Sequence, residues 1–373
     1  MRYLKAGVSH ARAPDAIIRG RPSDRGSPIT LSKLAFIGYG NVGRALARLL
    51  ARKQAELHDE LGIDYTVVGL ATRSHGIAID PAGIDVLAAA ERLESGGALD
   101  QFHTGAAVAD VPAFIARSGA DVLVELSYLN PDTGQPALDY CRAALKAGMH
   151  VITANKGPVV HAYRELRDLA AAQGRRFYFE AAVMDGTPIF STFREGLPTS
   201  KVVRFRGVLN STTNLILTKM EQGRSFDEAV KIAQDMGIAE ANPSADVDGW
   251  DAAVKASALA TVLMDVPVAP GEVERTGIGA VNPEEVQAAV GRGERIKLLC
   301  IGERTEAGAR VSVQPVALPE TDPLSQLDGT SSAVAFELDT LKGLTIVGHN
   351  PGPAQTAYGL LADFINAVRA DGG

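Results

Sequence analysis

The chain has 373 residues, room for two to three domains at ~150 residues each and for a substantial buried core. Hydrophobic residues make up 46% and charged residues 22%, a globular balance that excludes a collagen-like or largely disordered protein. A net charge of −7 argues against nucleic acid as the main partner, and no run approaches ~18 apolar residues, so no membrane span is expected.

Residues 1–31 carry six basic side chains, two acids and three prolines without apolar periodicity. They are expected to form a flexible tail, with an interaction arm as the alternative, and lack the apolar centre of a secretory signal. From Lys33 the pattern changes. Leu34–Ile37 is a short strand run ending at Gly38, and Val42, Ala45, Leu46, Leu49 and Leu50 follow at helical spacing. Further strand runs at Tyr65–Ala71, Asp121–Leu126 and His150–Thr153 alternate with helical segments such as Pro136–Ala147 and Tyr163–Gln173. Alternation of this kind predicts right-handed βαβ units in a parallel, doubly wound sheet, an α/β fold of Rossmann type.

After about Thr187 the rhythm differs. A strand at Val202–Val208 precedes helices at Thr213–Gln222, Phe226–Met236 and Asp251–Met264. Strands at Ile296–Glu303, Arg310–Pro315, Val334–Leu338 and Gly343–Val347 then predict a second, α+β layer with a mixed or antiparallel sheet. A last amphipathic helix, Ala354–Val368, is expected to return to the first domain. The predicted division is a dinucleotide-binding domain of 32–186 with 342–373, and a substrate-binding and oligomerisation domain of 187–341. Cys141 and Cys300 are far apart and suit packing thiols in a reducing cytoplasm.

Glycine is enriched, at 38 residues. Gly38-Tyr39-Gly40-Asn41-Val42-Gly43 is a GxGxxG between a strand and a helix, the context the dinucleotide fingerprint requires. The first glycine permits a tight turn, the second lets backbone approach a pyrophosphate, and the third brings helix and strand together. An acid ending the second strand would select NAD, but Ala71 leads into Thr72-Arg73-Ser74. Arg73 suits a 2′-phosphate and so points to NADP; the other readings are a solvated loop residue or one stacked on adenine. Lys156, in Thr153-Ala154-Asn155-Lys156, runs out of a strand toward the cofactor crevice, where a lysine binds a polar cofactor group or transfers a proton. Asp251 and Lys255 are four apart, on one face of a helix, and with Glu240, Asp246 and Asp248 they place four acids and a lysine within sixteen residues.

These segments together resemble homoserine dehydrogenases from Leu34 to Ala370. The likeness rests on the glycine fingerprint, Val124-Glu125-Leu126, Thr153–Lys156, Leu209–Asn214, and Ala239-Glu240 leading to the Asp-x-x-Gly-x-Asp-x-x-x-Lys of Asp246–Lys255. The resemblance implies interconversion of L-homoserine and L-aspartate 4-semialdehyde with NAD(P)H, on the route to threonine and methionine. It implies that Lys255 exchanges the proton, that Lys156 contacts cofactor and substrate, and that Glu240 and Asp251 bind substrate. Ser127, Gly237 and Gly352 would lie at the cofactor with Gly38, Gly40, Asn41, Val42 and Gly43, and a sodium ion would sit at Glu180, Val183, Asp185 and Thr187, largely on main-chain carbonyls. A homodimer or higher homo-oligomer is implied, and with so few residues after the last helix a separate C-terminal regulatory domain of the kind some relatives carry is not expected. The sequence departs from the family pattern at Met184-Asp185, Ser211, Asn242 and Gly348–Pro353, where glycines or an acid are replaced. The alternatives are therefore a related enzyme acting on another small amino or hydroxy acid, or a non-catalytic dinucleotide-binding protein. His349, alone in a loop, is expected to be a surface residue.

Overall fold

A computed structural model describes residues 29–369. Most of the stretch expected to be a tail therefore lies outside the described residues. Its boundary moves earlier, because Thr30 donates from its amide to the Gly62 carbonyl at 2.9 Å and pairs with Ile63. In chain order the first half comprises β1 (Thr30–Ile37), α1 (Asn41–Leu61), β2 (Ile63–Ala71), β3 (Ile77–Ile79), α2 (Val86–Glu94), α3 (Val111–Ser118), β4 (Val122–Glu125), α4 (Ala137–Lys146), β5 (His150–Thr153), α5 (Lys156–Ala172) and β6 (Phe177–Tyr178). The strands form one sheet in the order β3-β2-β1-β4-β5-β6, parallel except for the short edge strand β3.

Side chains alternate across this sheet. Leu34 and Phe36 enter a core shared with α1 and α2, while Ala35 and Ile37 face α3, α4 and α5. Burial on both faces explains why each strand reads as a continuous apolar run. The order reverses between β1 and β4, so a crevice opens beyond their carboxyl ends. α5 starts at Lys156, seven residues before the expected Tyr163, with Asn155 capping it. Its geometry breaks at Ala162 (φ −148, ψ 24), which hides its first turns from helical periodicity.

The second half comprises β7 (Val202–Val208), α6 (Ser211–Glu221), α7 (Phe226–Asp235), α8 (Ser244–Val247), α9 (Trp250–Leu263), β8 (Glu274–Arg275), α10 (Pro283–Gly291), β9 (Glu294–Thr305), β10 (Gly308–Pro319), β11 (Ser332–Leu338) and β12 (Leu344–Gly348). Its sheet runs β12-β11-β7-β9-β10-β8, antiparallel apart from β8, which lies parallel to β10. The helices α6 and α9 cover it, and α9 packs against α5 so that one core spans both halves. The last helix, α11 (Pro353–Arg369), returns to the first sheet and places Ala357, Leu360 and Phe364 in the core with α1. Its approach to the connecting turn is close: a Cβ on Gly186 would lie 2.0 Å from the Gln355 carbonyl oxygen. No helix among the described residues is long and apolar enough to cross a membrane.

Candidate active site

The crevice at the β1/β4 switch holds a cavity of about 750 Å³ lined by Gly38, Gly40, Arg73 and Ser127. Gly38 has φ +90, and a Cβ there would lie 2.2 Å from the Leu126 carbonyl oxygen, so only glycine lets β1 turn against the end of β4. Gly43 is equally confined, its would-be Cβ 2.9 Å from the Gly38 carbonyl oxygen, whereas a Cβ on Gly40 meets nothing within 4 Å. Open space at the middle glycine leaves the amino end of α1, with Asn41 and Val42, accessible to a phosphate. Ser127 Oγ is buried without a hydrogen-bond partner. Arg73 is exposed at the cavity and makes no hydrogen bond or ion pair among the described residues. Glycine turn, helix terminus, orphaned hydroxyl and unengaged guanidinium together fit a dinucleotide.

The crevice floor is fixed by a buried polar link. Glu125, at the end of β4, accepts from the Ser127 amide at 2.7 Å and from Thr153 Oγ1 at 2.9 Å, joining β4 to β5. Burial raises its pKa, and these hydrogen bonds oppose the shift. Asn155 accepts from the Gly157 amide at 2.9 Å as the cap of α5, and its Nδ2 donates to the Ser127 carbonyl at 3.2 Å. Lys156 is thereby held as the first residue of α5, just beyond the carboxyl end of β5, and does not itself line the cofactor cavity.

Across the crevice, Lys156 meets the second half of the chain. Its Nζ lies 3.3 Å from Asp251 Oδ1, while Lys255 Nζ lies 2.8 Å from Asp251 Oδ2 and donates to the Leu209 carbonyl at 2.8 Å. One carboxylate thus bridges two lysines from different halves. Asn210 caps α6 by accepting from the Thr213 amide at 2.8 Å, which directs its Nδ2 to Asp246 Oδ1 at 2.6 Å and Asp251 Oδ2 at 3.0 Å. Burial disfavours the Asp251 charge, but the two lysines more than offset it and hold the carboxyl well below its usual range. Burial likewise disfavours the Lys255 charge, and Asp251, with Asp185 and Asp246 behind it, raises its pKa above the ordinary value. Asp246, half-buried, is shifted upward by desolvation and by the neighbouring Asp251 carboxylate.

Other expected site residues fall elsewhere. Glu240 is exposed and its side chain bonds to nothing among the described residues; only its carbonyl accepts, from Gln234 Nε2 at 3.2 Å. Gly237 has φ +70 just beyond α7, and the Gly352 carbonyl accepts from the amides of Gln355 and Thr356 at the start of α11; neither lines the cofactor cavity. The Glu180 carboxylate is occupied by the chain itself, accepting from the amides of Ile189, Phe190 and Ser191 at 2.6–2.7 Å. Val183 is buried, Asp185 Oδ1 accepts from Thr356 Oγ1 at 3.0 Å, and the Thr187 carbonyl accepts from the Ile189 amide at 2.8 Å. Met184 and Asp185, which replace family glycines, adopt φ 56 and φ 57. That left-handed backbone costs L-residues ~1–2 kcal/mol each. Ser211 is an ordinary first helical residue after its Asn210 cap, so the glycine lost there has no backbone consequence. His349 is exposed, its Nδ1 3.2 Å from Ser331 Oγ. Asn210 and Asp246 carried no role in the sequence reading; an asparagine at a helix cap thirty-six residues before an acid gives no local sign that the two meet.

Two family models match the chain: the homoserine dehydrogenase NAD-binding domain over residues 38–180, and homoserine dehydrogenase over residues 188–365. An NAD(+)-dependent homoserine dehydrogenase of Pseudomonas canavaninivorans is 37% identical over 91% of this chain and 96% of its own length. The homoserine dehydrogenase of Methanocaldococcus jannaschii is 36% identical over 89% and 97% of the two chains. Among solved structures, a homoserine dehydrogenase from Thiobacillus denitrificans matches with a TM-score of 0.78 and 31% identity, over 93% of this chain and 75% of that one. A hyperthermophilic archaeal homoserine dehydrogenase in complex with NADPH matches with a TM-score of 0.77 and 30% identity, over 91% and 98%. By its two linked sheets, its glycine-lined crevice and these likenesses, the chain belongs to the homoserine dehydrogenases, NAD(P)-dependent oxidoreductases acting on a small-molecule substrate.

Proposed function

We propose that the chain interconverts L-homoserine and L-aspartate 4-semialdehyde with a preference for NADP(H), and that Lys255 exchanges the proton on the substrate oxygen. The observation that carries this reading is the Lys156–Asp251–Lys255 bridge across the crevice. The dinucleotide, bound along Gly38–Gly43 with Ser127 beside it, supplies the hydride acceptor or donor at its nicotinamide. Lys255, kept protonated by Asp251, offers both positive charge and a proton to an alkoxide forming during aldehyde reduction. Lys156 brings a second cation to the same carboxylate and contacts cofactor and substrate. Asp251 and Glu240 complement the substrate ammonium group, Glu240 by moving in from its exposed position. Gly237 and Gly352 approach the cofactor from the second half and from the start of α11.

Arg73 reads the 2′-phosphate as a free guanidinium at the adenosine end of the cavity. A sodium ion at the Val183–Thr187 turn would take the main-chain carbonyls of Glu180, Val183, Asp185 and Thr187, because the Glu180 carboxylate is spent on three amides. Residues 32–186 with 342–373 act as the cofactor domain, a division favoured by the packing of α11 on α1, and 187–341 as the substrate and oligomerisation domain of a cytoplasmic homodimer or larger assembly. The deciding experiment is an activity matrix of L-homoserine and other small hydroxy acids against NAD and NADP, followed by nicotinamide absorbance. Turnover of another alcohol without turnover of L-homoserine would overturn the reading in favour of a related substrate, to which Asp185 near Lys255 would then be the first pointer.

A further inference from the structure

A second cavity, of about 430 Å³, opens between α5, β6, the helical turn around Phe190–Arg194 and the end of α9. It shares no lining residue with the cofactor cavity. Arg167, Arg175, Arg176 and Arg194 line it, and among the described residues no carboxylate does. Its walls are otherwise largely aromatic: the Phe179 ring lies between those of Phe177 and Phe190, with centroids at 5.1 and 4.9 Å.

Three of these guanidinium groups, those of Arg167, Arg176 and Arg194, are only partly neutralised among the described residues. Arg167 Nε meets Asp168 at 2.8 Å, with Asp265 at 3.7 Å, and Arg194 Nε meets Glu195 at 2.8 Å. Buried Asp363 also lies within the field of Arg194. Arg194 is stacked 3.9 Å above the Tyr178 ring, yet its Nη2 is sealed from solvent without an acceptor. The Arg176 side chain makes a single hydrogen bond among the described residues, from Nη1 to the Arg175 carbonyl at 3.4 Å.

We propose that this cavity binds a small organic anion with a flat apolar body, a carboxylate or phosphate monoester carried on an aromatic ring. Planar guanidinium forks pair with such head groups two hydrogen bonds at a time, and the aromatic walls stack against a ring. The volume falls within the range of small-molecule sites. The site also lies at the far ends of the two helices that begin at the lysine bridge: Arg167 is on α5 with Lys156, and Val262 is on α9 with Asp251 and Lys255.

Calorimetric titration of the full chain, saturated with NADPH, with phenyl phosphate tests the proposal. One phenyl phosphate is expected to bind per chain, with inorganic phosphate and phenol each weaker by about tenfold or more, since each lacks one half of the recognition. Arg194→Gln and Arg176→Gln are each expected to weaken binding about tenfold, the loss of one charge-assisted hydrogen bond. The Arg176 side chain makes only one long hydrogen bond, so its variant keeps the test valid should Arg194→Gln not fold. Absence of a binding heat, unchanged affinity in the folded arginine variants, or inorganic phosphate binding as tightly as phenyl phosphate would each overturn it.

Discussion

Replacing Asp251 with asparagine isolates the electrostatic half of the proposed mechanism. The substitution keeps the shape of the side chain and an oxygen for Asn210, but removes the charge that lies 2.8 Å from Lys255 Nζ and 3.3 Å from Lys156 Nζ. A hydrogen bond between charged groups in a buried setting is worth ~1.5–3 kcal/mol. At ~1.4 kcal/mol per pKa unit, its loss lowers the Lys255 pKa by about one to two units, because burial then acts with only Asp185 and Asp246 against it. Homoserine oxidation needs Lys255 without its proton, so the acid limb of kcat/KM against pH reports this group. In the wild type that limb lies in the alkaline range, since the folded pKa is raised. In Asp251→Asn it moves to lower pH, while the Michaelis constant for homoserine rises through the lost ammonium contact. The measurement is initial-rate NADPH formation over a pH series with both substrates varied. A limb that stays in place or moves upward would show that Asp251 does not set the charge of Lys255, or that Lys255 does not exchange the proton.

Lys255→Ala is expected to lower turnover by about 10²-fold or more with cofactor affinity nearly unchanged, and turnover at the wild-type rate would remove Lys255 from the mechanism. Arg73→Ala should raise the Michaelis constant for NADP about tenfold and leave that for NAD in place. An equal effect on both would mean Arg73 does not contact the 2′-phosphate. Gly186→Ala drives a Cβ to 2.0 Å from the Gln355 carbonyl oxygen and 2.8 Å from the Gly359 amide, so urea unfolding should show a loss of about 1–3 kcal/mol or more. An unchanged midpoint and slope would mean that α11 shifts at no cost. Asp363 is buried, its pKa well above 3.8, and it accepts from the Glu180 amide at 2.7 Å. Its raised folded pKa makes a contribution that is complete below the unfolded value and is lost as pH rises toward the folded one. Asp363→Asn keeps the acceptor without that loss, so its melting temperature should gain on the wild type between pH 5 and pH 8; a constant or shrinking gap would contradict this assignment.

The parts of the site that could be read from sequence are those encoded by local spacing. Gly38, Gly40 and Gly43 form one turn, and Asp251 and Lys255 sit one helical turn apart, so periodicity alone places each group. The bridge from Lys156 to Asp251 spans ninety-five residues, and only a likeness to known enzymes brought them together beforehand. Asn210 had no local signature, because its two tasks, capping α6 and aligning Asp246 with Asp251, exist only once three segments meet. The same applies to Glu180: nothing near it in sequence shows that its carboxylate accepts from amides nine to eleven residues further on. In the fold, β3 and β8 have three and two residues, too short for an alternating pattern to stand out. The longer strands of the second sheet fell where expected and extended by a few residues at their solvent ends, as with β9 and β10.

The return of α11 onto α1 also constrains how the protein is made. These helices lie about 300 residues apart in sequence, yet Leu46 and Leu50 share a core with Leu360 and Phe364. As the chain leaves the ribosome, β1 through β6 emerge first with that apolar face uncovered. It stays uncovered while the whole second half is synthesised, an interval of tens of seconds at ~5–20 residues per second. Until α11 arrives, the apolar residues Leu46 and Leu50 lack their partners Leu360 and Phe364, so the cofactor half completes its packing only after the second half has been made.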